Sequence, residues 1–333
     1  APMPEAQLLE TLLINQVGLS SLIATKAARM RDVVERHGDG QTLVDFGSRR
    51  AHGVDAGMKA ARSAYVGGFD GISNVAAGEA FGIPVFGTMA HSWIQSFPTE
   101  REAFEAFVDV YGEDSILLVD TYDTVEGAKT AVAVAEERGV DIRGVRLDSG
   151  DLAALSKEVA PIVGDAGIFV SSGMDEYRIE AFLEAGGVAT GFGPGTALVT
   201  SADAPKIEGV YKLVAIERGG ELRPTMKLSS GKTTYPGAKR VTRVERDGAY
   251  VGDTLGLRGE TLRGDDLLVS VFEDGERVYD LPELGEIRDR TLRELAKLPG
   301  KHRRLRDPEP YDVEMSGGLR ALAEELSDEL EDR

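Results

Sequence analysis

Between residues 42 and 192 the chain keeps one rhythm: a short apolar run, a polar or glycine-rich break, then a stretch with helical spacing. The apolar runs fall at 42–46, 71–73, 83–87, 116–120, 144–148, 167–171 and 187–192. Helix-like stretches lie between most of them, at 54–66, 99–111, 124–138, 151–163 and 175–185. Strands separated by helices imply successive βα units and a parallel sheet. Seven such runs, with a candidate eighth strand at 210–216, predict a closed βα barrel more than an open sheet. The span is compact beside the ~250 residues typical of a barrel, so an irregular barrel is expected.

The flanks follow other rules. Residues 5–36 read as a helix, with apolar positions at Leu8, Leu9, Leu12, Leu13, Val17 and Leu19. From about residue 206 the helical alternation stops, and short alternating runs such as 239–245, 249–255 and 267–272 predict antiparallel strands. The tail holds a charged helix at 284–298, a basic loop containing the Lys301–Arg306 cluster, and an amphipathic helix at 317–332. The expected organisation is α/β: an N-terminal helical segment over 1–36, an irregular βα barrel over 37–205, a β-rich α+β flanking domain over 206–283, and a helical tail over 284–333.

Composition narrows the chemistry. Of 333 residues, 38 are Lys or Arg and 57 are Asp or Glu, for a net charge of -19, which argues against a nucleic-acid groove. There are no cysteines, which excludes disulfides, thiolate metal sites and a Cys nucleophile. No stretch is read as approaching the ~18 apolar residues of a membrane helix, and the start lacks a signal-peptide pattern, so a cytoplasmic protein with no membrane partner is expected. The 27 Arg against 11 Lys on so acidic a chain suit either a salt-loving, archaeal source or an ordinary acidic cytosolic protein.

In a βα barrel the active site lies where the strands end at their carboxyl side. Those ends hold Phe46-Gly47-Ser48-Arg49-Arg50, Ser73-Asn74, Gly87-Thr88-Met89-Ala90-His91, Asp120-Thr121-Tyr122-Asp123, Arg146-Leu147-Asp148, Ser171-Ser172-Gly173 and Gly191 to Thr196. Gly193, Gly195 and Thr196, with Ser172 and Gly173, can bring backbone N–H groups close to an anion. Arg49, Arg50 and Arg146 offer fork-shaped guanidinium groups to phosphate or carboxylate. Asp148 and Asp151 suit sugar hydroxyls or a magnesium-held phosphate. Together they point to a phosphorylated sugar. Taken singly, each has a plainer use: a glycine loop as a turn, Asp148 and Asp151 as helix caps, His91 as a structural residue. His37 and His302 are given no role, and no metal-ligating set is assigned. Ser230-Gly231-Lys232-Thr233-Thr234 resembles the end of a P-loop, but Met226 stands where glycine is required. HExxH and the dinucleotide fingerprint are absent.

Taken together, DFGSRRAH (45–52), GISNVAAG (71–78), FGTMAHSW (86–93), LLVDTYDT (117–124), GVRLDSGDL (144–152), SSGMDEYRI (171–179), GFGPGTALVTS (191–201) and KLSSGKTTYPGAKRV (227–241) closely resemble the nicotinate phosphoribosyltransferase family. The resemblance runs through essentially the whole chain in order. It implies an irregular barrel of the type II phosphoribosyltransferase kind. The implied reaction moves phosphoribosyl from phosphoribosyl pyrophosphate to nicotinate, forming nicotinate mononucleotide and pyrophosphate for NAD biosynthesis. It also implies Mg2+ with the pyrophosphate, ATP as co-substrate through a phosphohistidine at His91, and a homodimer with shared active sites.

Carried over by position, Phe46 stacks on the pyridine ring and Arg49 meets its carboxylate or a phosphate. Ser73, with Asn74 beside it, stands where nicotinamide-specific relatives carry Asp, which favours the acid substrate. Arg146 lies against the base or pyrophosphate, Asp148 holds the ribose hydroxyls, and Ser172, Gly173, Gly193, Gly195 and Thr196 cradle the 5′-phosphate. Relatives carry an additional N-terminal segment with a Thr-Asp and a Tyr motif that this sequence starts after, so a fragment of a longer chain is expected. The alternatives are a quinolinate or nicotinamide phosphoribosyltransferase, or a non-catalytic phosphosugar-binding protein.

Overall fold

A computed structural model describes residues 2–228 and 234–331. The P-loop-like Ser230 to Thr233 falls outside the described residues, as does part of the 227–241 motif. The chain divides into two compact units, one of residues 15–207 with 284–292, the other of 1–14, 208–283 and 293–333.

The larger unit carries the βα alternation. Helix α1 (Met3–His37) leads to strand β1 (Thr42–Asp45), α2 (Val54–Val66), β2 (Gly71–Ile72), α3 (Val75–Phe81), α4 (His91–Gln95) and α5 (Glu100–Tyr111). Then come β3 (Ile116–Leu118), α6 (Thr124–Arg138), β4 (Gly144–Leu147), α7 (Leu152–Val163), β5 (Gly167–Val170), α8 (Glu176–Glu184), β6 (Gly191–Phe192) and α9 (Thr196–Thr200). Six strands form one parallel sheet in the order β2-β1-β6-β5-β4-β3, curled into a half-barrel. The first strand therefore pairs with the last, Thr42 with Gly191 and Leu43 with Phe192.

Two expected strands differ. Residues 83–87 supply a single parallel bridge, Val85 to Ile72, because Pro84 has no N–H to give a ladder. Its carbonyl still accepts from Ile72 N–H at 3.0 Å, and Phe86 N–H donates to Ile72 O at 2.9 Å. The candidate eighth strand at 210–216 does not join this sheet; its end belongs to an antiparallel hairpin of the other unit.

The strand interiors are apolar on both faces, with Leu43, Val44, Leu117, Leu118, Val145, Leu147, Val170 and Phe192 fully buried, as a sheet covered by helices requires. Helix α1 buries Ile23, Ala27, Met30 and Val34, a helical spacing that lays one stripe on this core. Side-chain caps start the helices on time: Asn74 for α3, Thr99 for α5, Asp123 for α6, Asp151 for α7 and Asp175 for α8.

One sequence expectation is corrected here. Helix α1 contains an 18-residue stretch long and apolar enough to cross a membrane by length and composition. Helices of globular proteins pass the same test. Deeper in α1, buried Lys26 pairs with Glu176 at 2.7 Å and Arg29 with the same carboxylate at 2.6 Å.

The smaller unit is antiparallel β with a helix. Hairpin β7 (Ala215–Arg218) and β8 (Glu221–Pro224) turns at Gly219-Gly220, both left-handed. Strands β9 (Lys239–Arg246), β10 (Ala249–Leu257) and β11 (Asp265–Asp266) form a sheet that β14 (Val313–Met315) completes in the order β11-β9-β10-β14. Between them stand the hairpin β12 (Phe272–Glu273) and β13 (Glu276–Arg277), then helix α10 (Leu284–Lys297), which runs from one unit into the other; α11 (Gly317–Glu331) follows β14. Glu260 ties the start of α11 to this sheet, taking the Ser316 hydroxyl at 2.6 Å and the N–H groups of Leu257 and Gly318.

Candidate active site

Segments at the carboxyl ends of five of the six strands, all but β3, line two adjoining hollows in the larger unit. One, of about 430 Å3, is lined by Phe46, Arg49, Ser73, the segment Phe86–Ser92 with His91, Arg146 and Asp148. The other, of about 230 Å3, shares Phe46, Arg49, Arg146 and Asp148 and adds Arg50, Ser171, Ser172, Gly173, Gly193, Gly195 and Thr196. Every residue given a role in the site lines one of them except Asp151 and Asn74. The Asn74 side-chain oxygen accepts from Ala77 N–H at 3.1 Å and caps α3 instead.

Arg146 is the hinge between the hollows. It sits in β4, where its neighbours Val145 and Leu147 are fully buried, and alternation turns its side chain the other way. Its Nε donates to Ser171 Oγ at 3.0 Å and its Nη1 to Met89 O at 3.3 Å, while Nη2 lies 3.4 Å from Asp148 Oδ2. The guanidinium also lies over the Phe46 ring, 5.6 Å from its centroid. Burial lowers its pKa, the carboxylates of Asp148 and Asp120 oppose that, and Arg49 adds to the lowering. The cation is thus held rigidly by donors already in use on one side, with charge to offer on the other.

Asp148 is likewise fixed rather than free. Ser171 Oγ donates to its Oδ1 at 2.6 Å, and its backbone N–H donates to Asp120 Oδ2 at 2.9 Å. Asp151 caps α7 through Ala154 N–H at 3.1 Å, so of the two aspartates only Asp148 belongs to the site.

His91 is the first residue of α4. Its Nδ1 lies 3.1 Å from Thr121 Oγ1, within hydrogen-bond reach, and its Nε2 faces two carboxylates, Asp148 at 3.6 Å and Asp120 at 4.0 Å. Asp120, whose side chain is 1% exposed, also accepts the Ser149 hydroxyl at 2.6 Å and leaves its Oδ1 without a hydrogen bond among the described residues. Nearby, Glu100 opens α5, and its carboxyl is pushed up to about 7 by burial and by the charges of Asp120 and Asp123.

The glycine-rich side has its own logic. A Cβ at Gly193 would stand 2.4 Å from the Phe46 ring, so glycine lets that ring approach the β6 end closely. Ser172 and Gly173 are successive left-handed residues, at φ 81° and 64°, a strained state for the serine that clusters at functional sites.

Sequence reasoning placed Asp120, Thr121 and Ser171 at strand ends without giving them a role, and gave none to Glu100 or Asp45. For Asp120 the signal was present, as the first charged residue after the apolar run 116–119. Among the described residues one further group could hold a cation, His37, Glu180 and Glu184, with donor atoms within 4.8 Å of one another. It shares no residue with the site.

Residues 41–234 match the nicotinate phosphoribosyltransferase (NAPRTase) family and residues 258–323 the nicotinate phosphoribosyltransferase C-terminal domain. A nicotinate phosphoribosyltransferase of Mycobacterium tuberculosis is 47% identical over 315 residues, covering 92% of this chain and 66% of the relative. The chain thus spans just under two thirds of that relative's length. One from Bacillus subtilis is 39% identical over 351 residues, covering 95% of this chain and 71% of the relative. The crystal structure of human nicotinic acid phosphoribosyltransferase superposes with a TM-score of 0.82 at 29% identity, covering 98% of this chain and 78% of that one. On the match across both units, the chain belongs to the nicotinate phosphoribosyltransferase family.

Proposed function

We propose that the protein transfers phosphoribosyl from phosphoribosyl pyrophosphate to nicotinate, releasing pyrophosphate, in NAD biosynthesis. The observation that carries this reading is the shared wall of the two hollows. Phe46, Arg49 and Arg146 line both, so a ring bound on one side and a phosphorylated sugar on the other meet across the same cations.

In this reading the nicotinate ring lies against Phe46, its carboxylate toward Arg49, with the Ser73 hydroxyl adding no opposing charge. Ser172, Gly173, Gly193, Gly195 and Thr196 receive the 5′-phosphate, and Asp148 the ribose hydroxyls. The ring nitrogen forms its bond to C1′ as the C1′–oxygen bond to pyrophosphate breaks, and that electron pair leaves with pyrophosphate. Positive charge grows on the ribose meanwhile. Asp148, held by Ser171 and Asp120, is already oriented for it, and Arg146 stabilises the departing anion. Mg2+ arrives with the pyrophosphate as part of the substrate. A ring nitrogen of His91 takes the γ-phosphoryl of ATP as the bond from the γ-phosphorus to the bridging oxygen breaks and ADP leaves. Water later displaces the group as inorganic phosphate. The Thr121 contact fixes the imidazole, and the added negative charge beside Asp148 and Asp120 changes the field in the larger hollow. The protein is read as a cytoplasmic homodimer.

The test is a product assay offering nicotinate, nicotinamide and quinolinate separately with phosphoribosyl pyrophosphate and Mg2+, with and without ATP, alongside His91→Ala. Mononucleotide from nicotinate alone, boosted by ATP, with the boost gone in His91→Ala, is the expected result. Product unaffected by ATP or by His91 would keep the substrate and remove the phosphohistidine. Binding of phosphoribosyl pyrophosphate without turnover of any acceptor would overturn the enzyme reading.

A further inference from the structure

We propose that Asp45, a residue fully shielded from solvent and ligand, is the positioning residue that holds the Phe46–Arg49 turn in the shape that receives the acceptor ring. The proposal rests on the acceptor reading above. Asp45 ends β1 and is 0% exposed. Its Oδ1 accepts the Gly47 N–H at 2.6 Å, and its Oδ2 is buried with no hydrogen bond among the described residues. Its backbone carbonyl accepts Ser73 N–H at 2.9 Å, so one residue anchors two loops that line the larger hollow.

The turn it anchors is tightly determined. A Cβ at Gly47 would lie 2.9 Å from Asp45 Oδ1, 2.9 Å from Gly195 O and 2.2 Å from Val199. Phe46 N–H donates to Pro194 O at 2.9 Å, and Arg50 N–H to Gly47 O at 2.7 Å, which begins the short helical turn carrying Arg49. Of the bonds that fix Gly47, the one to Asp45 is the only side-chain contribution described. A buried carboxylate with one oxygen unpaired is unfavourable in a strand whose neighbours are apolar. An apolar residue of the same size would suit the core better, yet could not accept from Gly47. The observed residue makes sense if the turn, rather than the core, sets the requirement.

Asp45→Val is near-isosteric, suits a strand and lacks the acceptor; Asp45→Asn keeps the acceptor and removes the charge. With Asp45→Val the KM for nicotinate should rise about tenfold or more while kcat and the KM for phosphoribosyl pyrophosphate stay within about twofold, and Asp45→Asn should restore most of the loss. Amide hydrogen exchange gives a reading independent of activity. Gly47 N–H should be protected in the wild type and in Asp45→Asn, and unprotected in Asp45→Val. Fast exchange of Gly47 in the wild type overturns the proposal without any variant. So does Asp45→Asn behaving like Asp45→Val, or an equal rise in both KM values. If the wild type turns over no nicotinate, the acceptor reading fails, and Gly47 exchange alone decides whether Asp45 holds the turn.

Discussion

At the scale of single residues, the site is built from groups whose bonds are already committed. Arg146 and Asp148 each have partners on the protein side before any ligand arrives, which is how charge is kept in place without rearrangement. Asp45 shows what such placement costs. Burial pushes its carboxyl up from 3.8 to about 6, outweighing the Gly47 N–H that favours the charged form. An acid raised on folding binds its proton more tightly in the folded state, so ionising it lowers stability as pH climbs from about 4 to about 6. A rise of that size corresponds to at most ~3 kcal/mol. Asp45→Asn should therefore flatten the stability profile across that window. It should be more stable than wild type above pH 6 by up to ~3 kcal/mol and match it below pH 4, as urea unfolding at several pH values would show. Equal slopes in the two proteins would remove the argument.

At the scale of elements, caps and buried ion pairs separate residues that build the scaffold from those that serve the site. Asn74 stands between two loops of the site yet spends its oxygen on α3, so Asn74→Ala should cost ~1 kcal/mol and leave the KM values unchanged. A raised KM would return Asn74 to the substrate side. Glu176 opens α8 wholly buried and faces Lys26 and Arg29 of α1. Removing it takes one of two carboxylates from Lys26, itself 4% exposed, which keeps Asp203 at 2.6 Å, so Glu176→Ala should lose ~2–3 kcal/mol in chemical denaturation.

The same scale shows what the sequence could and could not convey. Strands β1, β3, β4 and β5 were legible because a strand buried on both faces is a continuous apolar run, and the site followed from where those runs stop. The run 83–87 reads the same way, but Pro84 limits it to one bridge. The apolar run at 210–216 carries no sign that its partner is the hairpin strand β8. Helices α4 and α9 are five residues each, too short for a periodic signal. Asp45 and Asp120 escaped because their meaning lies in which neighbour their oxygens meet, and that is settled only once the strands are side by side.

At the scale of the whole molecule, charge and chain order dominate. A net charge of -19 repels itself, and added salt screens it over a Debye length of ~8 Å at 0.15 M. Thermal unfolding in KCl from 0.05 to 1 M should therefore show stability rising by on the order of 1 kcal/mol. Indifference to KCl would mean that local ion pairs, not the summed charge, set the balance.

The sheet order has a consequence in time. Strand β1 has β6 for a neighbour, so Thr42 waits for Gly191, about 150 residues later in synthesis, and contacts that distant close slowly. Phe46 from the first βα unit and Gly193 from the last meet at the same joint. A nascent chain halted just short of that point holds every residue that lines the larger hollow and still lacks the glycine-rich side of the smaller one. The joint of the site is thus closed only when β6 arrives, and until then one edge of β1 stays open to whatever strand it meets first.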